Sequence, residues 1–128
     1  MRVVYEYDFQ RFADFLKTHD IDHPTETLIP LALQKEGETV GYVWFSWVDH
    51  DTMEIHLHVP TRGWTRKAVG DVLKFPEIMG ATRLISKDLT PSALWMVQRL
   101  NWTINGDWVE TTLPSEWSRY GRIRRAVR

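Results

Sequence analysis

The chain has 128 residues, of which 43% are hydrophobic and 26% are charged, and it contains no cysteine. This length and composition predict one folded domain with a single core, and they exclude a mainly disordered chain. Without cysteine the chain can form no disulfide, no thiolate nucleophile and no cysteine-based zinc site. The uncharged run Val40–Val48 is far shorter than the ~20 residues of a membrane-spanning helix, and the N-terminus lacks a secretory pattern. We therefore expect a cytoplasmic protein with no membrane partner.

The formal net charge of -1 is unevenly divided along the chain. Residues 1–61 contain 4 Lys/Arg and 11 Asp/Glu, a net charge of -7, whereas residues 62–128 contain 12 and 6, a net charge of +6. Such an asymmetry indicates either an anionic ligand or partner for the basic half, or two faces of one domain that attract each other.

After a short strand-like start, the first half of the chain has helical periodicity and then strand periodicity. Its predicted elements are a short strand at residues 3–7, a helix over 9–19, and strands over 27–34, 39–48 and 53–59. Asp8 can cap the helix, because an aspartate side chain accepts from the first amides of a helix. Short turns join the last three strands, which predicts an antiparallel meander.

The second half returns to helical periodicity. Its predicted elements are a helix capped by Thr65, a strand at 83–86, a helix that begins at Thr90-Pro91, and a hairpin of residues 103–104 and 108–113. Pro76 should end or kink the first of these helices, because proline lacks the N–H that the helix needs. The order β-α-β-β-β-α-β-α-β-β predicts an α+β (α/β) fold.

The last segment, the tail (residues 114–128), contains five arginines and one glutamate. Unpaired buried charge is very costly, so we expect the tail to be a contact surface outside the core. It can dock on the acidic first half of the chain, on a second subunit of a homodimer, or on an acidic partner. A nucleic acid is a less favoured partner, because the sequence pI is about 6.5 and no nucleic-acid motif is present.

The segment between the third strand of the meander and the next helix combines a helix start with three cations. Amides at a helix N-terminus favour an anion, and arginine binds phosphate in a bidentate manner. Arg62, Arg66 and Lys67 therefore predict a phosphate or pyrophosphate site. The alternative is a solvated basic helix start with Trp64 packed on the surface.

Glu54, His56 and His58 alternate along one strand, so their side chains share one face of the sheet. Either a glutamate or a histidine can act as the base that removes a proton from an attacking amine. The same face could bind a metal if residues 49–51 contributed ligands, or it could simply face solvent; we expect no metal. Ser46 is interpreted as a core or edge serine, and no serine triad is predicted.

Four segments follow the same order as the predicted elements: Gly41-Tyr42-Val43, Glu54-Ile55-His56-Leu57-His58-Val59, Arg62-Gly63-Trp64-Thr65-Arg66-Lys67-Ala68 and Leu100-Asn101-Trp102. This ordered set resembles the GNAT family of N-acetyltransferases over about residues 1–113. The segments stand where that family has its third strand, its fourth strand, its acyl-CoA pyrophosphate loop and the end of a later helix. The resemblance implies a GNAT-like domain over residues 1–113, followed by the basic tail. It also implies a mixed, mostly antiparallel sheet of about six to seven strands flanked by three helices.

The resemblance further implies acetyl-CoA as cosubstrate and N-acetylation of an amine on a protein or a small molecule. The strand backbone near His58 and Val59 would pair with the pantetheine arm. Glu54 stands where some members carry a catalytic glutamate, and Glu54 or His56 would assist deprotonation of the amine. The pyrophosphate would be held by the basic loop (residues 62–67), which consists of Arg62, Gly63, Trp64, Thr65, Arg66 and Lys67.

The sequence departs from the family pattern at three positions. Thr65 and Lys67 occupy the two small positions of the pyrophosphate loop, and Val97 stands where the family often has a tyrosine general acid. In these respects the chain resembles small, degenerate GNAT-like proteins of bacteriophages. The departures favour an alternative function, in which a GNAT scaffold binds a cellular or host protein without catalysis.

Overall fold

A computed structural model describes residues 1–22, 29–60, 62–87, 97–119 and 121–122 of the chain. Its elements are β1 (Arg2–Tyr5), α1 (Phe9–Thr18), β2 (Leu31–Lys35), β3 (Glu38–Trp47), β4 (Thr52–His58), α2 (Arg66–Ile78), β5 (Arg83–Ser86), β6 (Thr103–Asn105), β7 (Trp108–Thr112) and a 3-10 helix (Glu116–Ser118). Residues 97–100 are also helical and form the end of the predicted third helix. Its predicted start at Thr90-Pro91 lies outside the described residues.

The seven strands found in the described part of the chain form one sheet in the order β1-β2-β3-β4-β5-β7-β6. Every neighbouring pair is antiparallel except β4 and β5, which run parallel. This arrangement confirms the predicted α+β fold with a mixed, mostly antiparallel sheet. The single parallel pair follows from the connection, because α2 carries the chain back across the sheet between β4 and β5.

Local signals in the sequence account for the element boundaries. Asp8 Oδ1 accepts a hydrogen bond from the Arg11 amide at 3.1 Å, and Thr65 Oγ1 accepts one from the Ala68 amide at 3.1 Å, so both predicted N-caps are present. The turn between β2 and β3 has positive φ at Glu36 and Gly37, 54° and 82°, as a two-residue hairpin loop of type I′ requires. These caps and turns fix where the chain enters and leaves the sheet.

The two faces of the sheet are covered by different helices. Val43 and Phe45 of β3 point into a buried cluster that also contains the apolar face of α2. Tyr42 and Trp44, at the intervening positions, pack instead with Phe12 of α1. Alternation along β3 therefore buries both faces, which explains why the sequence of this strand is almost continuously apolar.

The described part of the tail, residues 114–119 and 121–122, packs against α2. Ser118 Oγ donates to Glu77 Oε2 at 2.7 Å, and the Arg122 amide donates to Asp71 Oδ1 at 2.7 Å. Ser118 is fully buried, so the expectation that the tail lies outside the core is wrong for the part that the structure describes. The boundary after residue 113 stays a prediction.

Pro76 does not end α2, which continues two residues further to Ile78. Only one helical N–H is lost at Pro76, close to the C-terminus, where the helix would stop within a turn in any case. Among the helices in the described residues, none has both the length and the apolar character needed to cross a membrane.

Candidate active site

The strands β4 and β5 separate after a short stretch of pairing. Their parallel register joins Thr52 to Arg83, Met53 to Leu84 and Glu54 to Ile85, and it goes no further. Beyond Glu54, the range Ile55–His58 remains paired to β3 but has no strand on its other side within the described ranges. Among the described residues, the backbone N–H and C=O groups on that side of β4 therefore form an edge inside the sheet rather than at its border.

Glu54 and His56 lie together on the α1 side of this opening. His56 Nδ1 is 3.6 Å from Glu54 Oε2, and the two side chains are 11% and 16% exposed. His56 Nε2 is 3.0 Å from Ser46 Oγ on the neighbouring strand. The Trp44 ring lies nearly parallel to the imidazole, at 5.8 Å between centroids, and holds its plane. Lys87 Nζ lies 3.6 Å from the other Glu54 oxygen.

His58 lies further along the same face, apart from that group. Its ring contacts the ring of His19 at 4.3 Å and that of Phe15 at 5.4 Å between centroids. Partial desolvation, and then the nearby His19, lower the pKa of His58 below its ordinary value of 6.5. His58 is therefore neutral at neutral pH, and α1 supplies its surroundings.

The basic loop leads from β4 to the N-terminus of α2. Trp64 is half-buried and its Nε1–H donates to the Pro60 carbonyl at 3.0 Å, which ties the loop to the end of β4. Gly63 has a φ of +88°, a conformation that favours glycine. Arg62 is exposed, and Thr65 caps the helix as described above.

The tail adds a wall to this end of α2. The Arg66 guanidinium lies 5.0 Å from the centroid of the Trp117 ring, a cation–π distance. Beside this contact is a cavity of about 780 Å³, whose lining includes Arg66, Lys67, Trp117 and Arg119. Lys67 Nζ also lies 3.3 Å from Asp71 Oδ2, so its charge is partly compensated.

No protein-family model matches the sequence, and a search of curated proteins gives no significant match. The structure is similar to a cAMP-binding acyltransferase from Mycobacterium smegmatis, with a TM-score of 0.57, 17% identity, and coverage of 88% of this chain and 43% of that one. It is similar to Mycobacterium smegmatis RimJ in complex with CoA-disulfide, with a TM-score of 0.59, 14% identity, and coverage of 86% and 65%. It is also similar to the GNAT domain of S. lividans PAT, with a TM-score of 0.53, 16% identity, and coverage of 88% and 89%.

The fold is that of the GNAT acetyltransferases. At these identities the likeness concerns the fold alone, and the chain spans less than two thirds of the first two structures named. Activity, substrates and partners are therefore proposals for this chain. The GNAT fold agrees with the resemblance found in the sequence.

The structure brings some predicted site residues together and separates others. Glu54 and His56 form one group, the basic loop and the start of α2 form a second, and His58 packs with α1 residues. In the described residues, one set of three possible metal ligands lies within 4.8 Å of one another: Asp49, His50 and Asp51. That set occupies an exposed turn and does not include Glu54, His56 or His58.

Two candidate functional residues, Ser46 and Trp117, were not predicted from the sequence. The sequence predicts Ser46 to be a core or edge serine, but its hydroxyl contacts His56 directly. Counting the register back from the β3–β4 turn would have placed Ser46 opposite Glu54, beside His56. Trp117 lies in the tail, and no sequence signal indicated that it packs on Arg66, because that contact depends on how the tail crosses α2.

Proposed function

We propose that this chain is an acyl-CoA-dependent N-acetyltransferase that transfers an acetyl group from acetyl-CoA to an amine of a protein or a small molecule. The observation that carries the proposal is the separation of β4 and β5 after Glu54. The edge of β4 over Ile55–His58 offers hydrogen-bonding groups to an extended ligand, as an exposed strand does to an added strand. The amides of a pantetheine arm are suited to this edge, and the backbone near His58 and Val59 would hold them.

The start of α2 would hold the pyrophosphate. The first two amides of the helix, those of Arg66 and Lys67, have no acceptor within the helix, and the helix dipole favours an anion there. Arg62 adds an exposed cation four residues after the end of β4. Because Thr65 and Lys67 replace small residues of the family loop, cationic side chains would contribute more to binding than close backbone approach.

The cavity beside α2 would take the nucleotide end of CoA. An adenine ring can stack on an aromatic side chain, and Trp117 lies in the cavity wall. Arg66, Lys67 and Arg119 are in the same lining and can bind phosphate oxygens. The tail, whose Gly121 and Ser118 pack closely on α2, would then be part of the cosubstrate site.

Glu54 and His56 would accept the proton that the attacking amine loses and supply one to the leaving thiolate. A neutral amine attacks the thioester carbonyl, the C–S bond breaks, and the amine loses a proton to a base. Glu54 and His56 are adjacent, partly buried and beside the open edge of β4. Val97, at the family's tyrosine position, carries no acidic proton, so protonation of the leaving thiolate would fall to His56 or to water.

The proposal is tested by amine-dependent release of CoA thiol from acetyl-CoA, with the acetylated product identified by mass. The acceptors are a lysine peptide, a peptide with a free N-terminus and a polyamine. Thr39→Ala serves as a matched control for substitutions in the site, because Thr39 lies on β3 about seven strand residues, or ~23 Å, from Ser46. Product above the acceptor-free rate supports the proposal. Saturable acetyl-CoA binding with no product from any of the three acceptor classes contradicts it.

A second candidate function is that of a GNAT scaffold that binds a cellular or host protein without catalysis. A bacteriophage factor that modulates a host protein would act in this way. This second function is favoured by the partners that two of the cations already have within the chain, Trp117 for Arg66 and Asp71 for Lys67. A second copy of the chain is the simplest partner, and the mass in solution by sedimentation tests that case. Absence of acetyl-CoA binding together with stable association would favour this function over catalysis.

A further inference from the structure

Ser46, His56 and Glu54 form a chain of contacts across two paired strands. Ser46 Oγ lies 3.0 Å from His56 Nε2, and His56 Nδ1 lies 3.6 Å from Glu54 Oε2. The first distance is that of a hydrogen bond, and the second is a contact between a ring nitrogen and a carboxylate oxygen that is longer than a hydrogen bond. Each ring nitrogen therefore faces a different partner, with a hydroxyl on one side and a carboxylate on the other.

The position of the Glu54 carboxylate suits one of the two neutral tautomers of His56. A negative oxygen beside Nδ1 favours the tautomer with hydrogen on Nδ1, so Nε2 is the basic nitrogen. In that tautomer Nε2 accepts the hydrogen bond from the Ser46 hydroxyl, 3.0 Å away. The order hydroxyl, imidazole and carboxylate is the arrangement that activates a serine as a nucleophile.

The surroundings keep this arrangement in place and leave it accessible. The Trp44 ring stacks beside the imidazole, and the register of β3 with β4 sets Ser46 directly opposite Glu54. Ser46 is half-buried rather than enclosed. His56 belongs to the stretch of β4 that faces the opening between β4 and β5, so the base lies beside the edge where the acyl thioester would bind.

We propose that Ser46 is an acyl-accepting nucleophile, so that the chain hydrolyses activated acyl esters and acyl thioesters when no amine is bound. The thioester part of this inference rests on the proposed function, whereas the ester part does not. No step needs an oxidant, a metal or a co-reactant other than water.

The reaction has two halves. In the first, Ser46 Oγ bonds to the acyl carbon, the bond from that carbon to the leaving oxygen or sulfur breaks, and the serine proton passes through His56 Nε2 to the leaving group. In the second, water attacks the acyl-serine, gives one proton to His56, and the ester bond to Oγ breaks. The proton returns to Ser46, and a carboxylic acid is released.

The experiment treats the full chain with p-nitrophenyl acetate and, separately, with acetyl-CoA in the absence of amine. It measures p-nitrophenolate or thiol release, and it locates any acetyl group by mass analysis of the peptide that contains Ser46. The variants are Ser46→Ala, Ser46→Thr, which keeps a hydroxyl, and His56→Gln, with Thr39→Ala as the control on the same strand. Melting temperatures identify any variant that fails to fold.

We expect acetyl-Ser46 in the wild-type chain and in Thr39→Ala, and none in Ser46→Ala. His56→Gln should slow acylation by about 10²-fold or more, as expected for loss of a general base. Ser46→Thr should retain part of the reaction, which a purely structural role of the serine would not predict. Acetylation confined to lysines, or equal rates in the wild-type chain and Ser46→Ala, would overturn the inference.

The reactions with p-nitrophenyl acetate and with acetyl-CoA distinguish a failure of this inference from a failure of the proposed function. Acetyl-Ser46 formed from p-nitrophenyl acetate but not from acetyl-CoA would support the nucleophile and count against acyl-CoA as substrate. Amine acetylation by a chain whose Ser46 is never acylated by either reagent would support the proposed function and refute the nucleophile.

Discussion

Replacing Gly70 by alanine tests whether the tail belongs to the folded domain. Gly70 lies in the interior of α2, where alanine is favoured over glycine by about 1 kcal/mol. Helix propensity alone therefore predicts that Gly70→Ala stabilises the chain. The structure predicts the opposite, because a Cβ at Gly70 would overlap the carbonyl oxygen of Trp117, and the tail backbone at Gly121 passes close to the Gly70 carbonyl.

The size of the effect follows from these two contributions. Overpacking of a well-packed contact costs about 1–3 kcal/mol, which outweighs the gain in helix propensity and leaves a net loss of up to about 2 kcal/mol. An unfolding entropy of about 2.1 cal/mol/K per residue converts that loss into a fall in melting temperature of roughly 7 °C for a chain of this length. The same substitution in a chain truncated after Leu113 has no tail to overlap. There it should raise the melting temperature by about 4 °C.

The full chain and the chain truncated after Leu113 are each unfolded by heat and by urea, with and without Gly70→Ala. The difference between the two effects of Gly70→Ala is the coupling free energy between the substitution and the tail. We expect Gly70→Ala to lower the stability of the full chain and to raise that of the truncated chain. A truncated chain that does not fold would itself show that the tail completes the domain. Equal stabilisation by Gly70→Ala in both chains would refute the docking of the tail on α2.

Three further predictions concern the site. The double variant Arg62→Ala/Arg66→Ala should weaken acetyl-CoA binding measured by calorimetry by at least about 1.5 kcal/mol, because charge-assisted hydrogen bonds are worth about 1.5–3 kcal/mol each; unchanged affinity would remove the basic loop from the site. Glu54→Gln should lower amine acetylation by about 10²–10⁴-fold with little change in acetyl-CoA affinity, and wild-type turnover would exclude Glu54 as the base. Because the pKa of His58 is lowered in the folded chain, the unfolded chain binds more protons at this position below about pH 6.5, so stability falls as the pH decreases. Urea unfolding between about pH 7 and pH 5 should show a weaker pH dependence in His58→Gln, and an unchanged dependence would assign the effect to other groups.

Local patterns in the sequence predicted most of the fold. The caps Asp8 and Thr65 and the turn at Glu36-Gly37 depend on residues within one turn of the chain, and the structure contains all three. The effect of Pro76 on the end of α2 was harder to predict from the sequence. A proline near the last turn removes one helical N–H without deciding where the helix ends. Helix ends also depend on packing that the sequence alone does not reveal.

The site could be predicted only in part, for a physical reason. Glu54 and His56 share a strand, so alternation alone places them on one face. The contact of Ser46 with His56 needs the register between two strands, and the contact of Arg66 with Trp117 needs the path of the tail across α2. Residues that meet through tertiary packing leave no periodic signal in the sequence.

The proposed function requires that acetyl-CoA bind along the open edge of β4 and at the start of α2. An amide NMR titration of the full chain with acetyl-CoA tests it most directly, because each backbone N–H reports its own surroundings. The account predicts saturable shifts at the amides of Ile55–His58 and of Arg66 and Lys67, with a stabilisation of roughly 2.7 kcal/mol at 100 times the dissociation constant. The absence of any saturable shift at these amides at millimolar acetyl-CoA would contradict the claim.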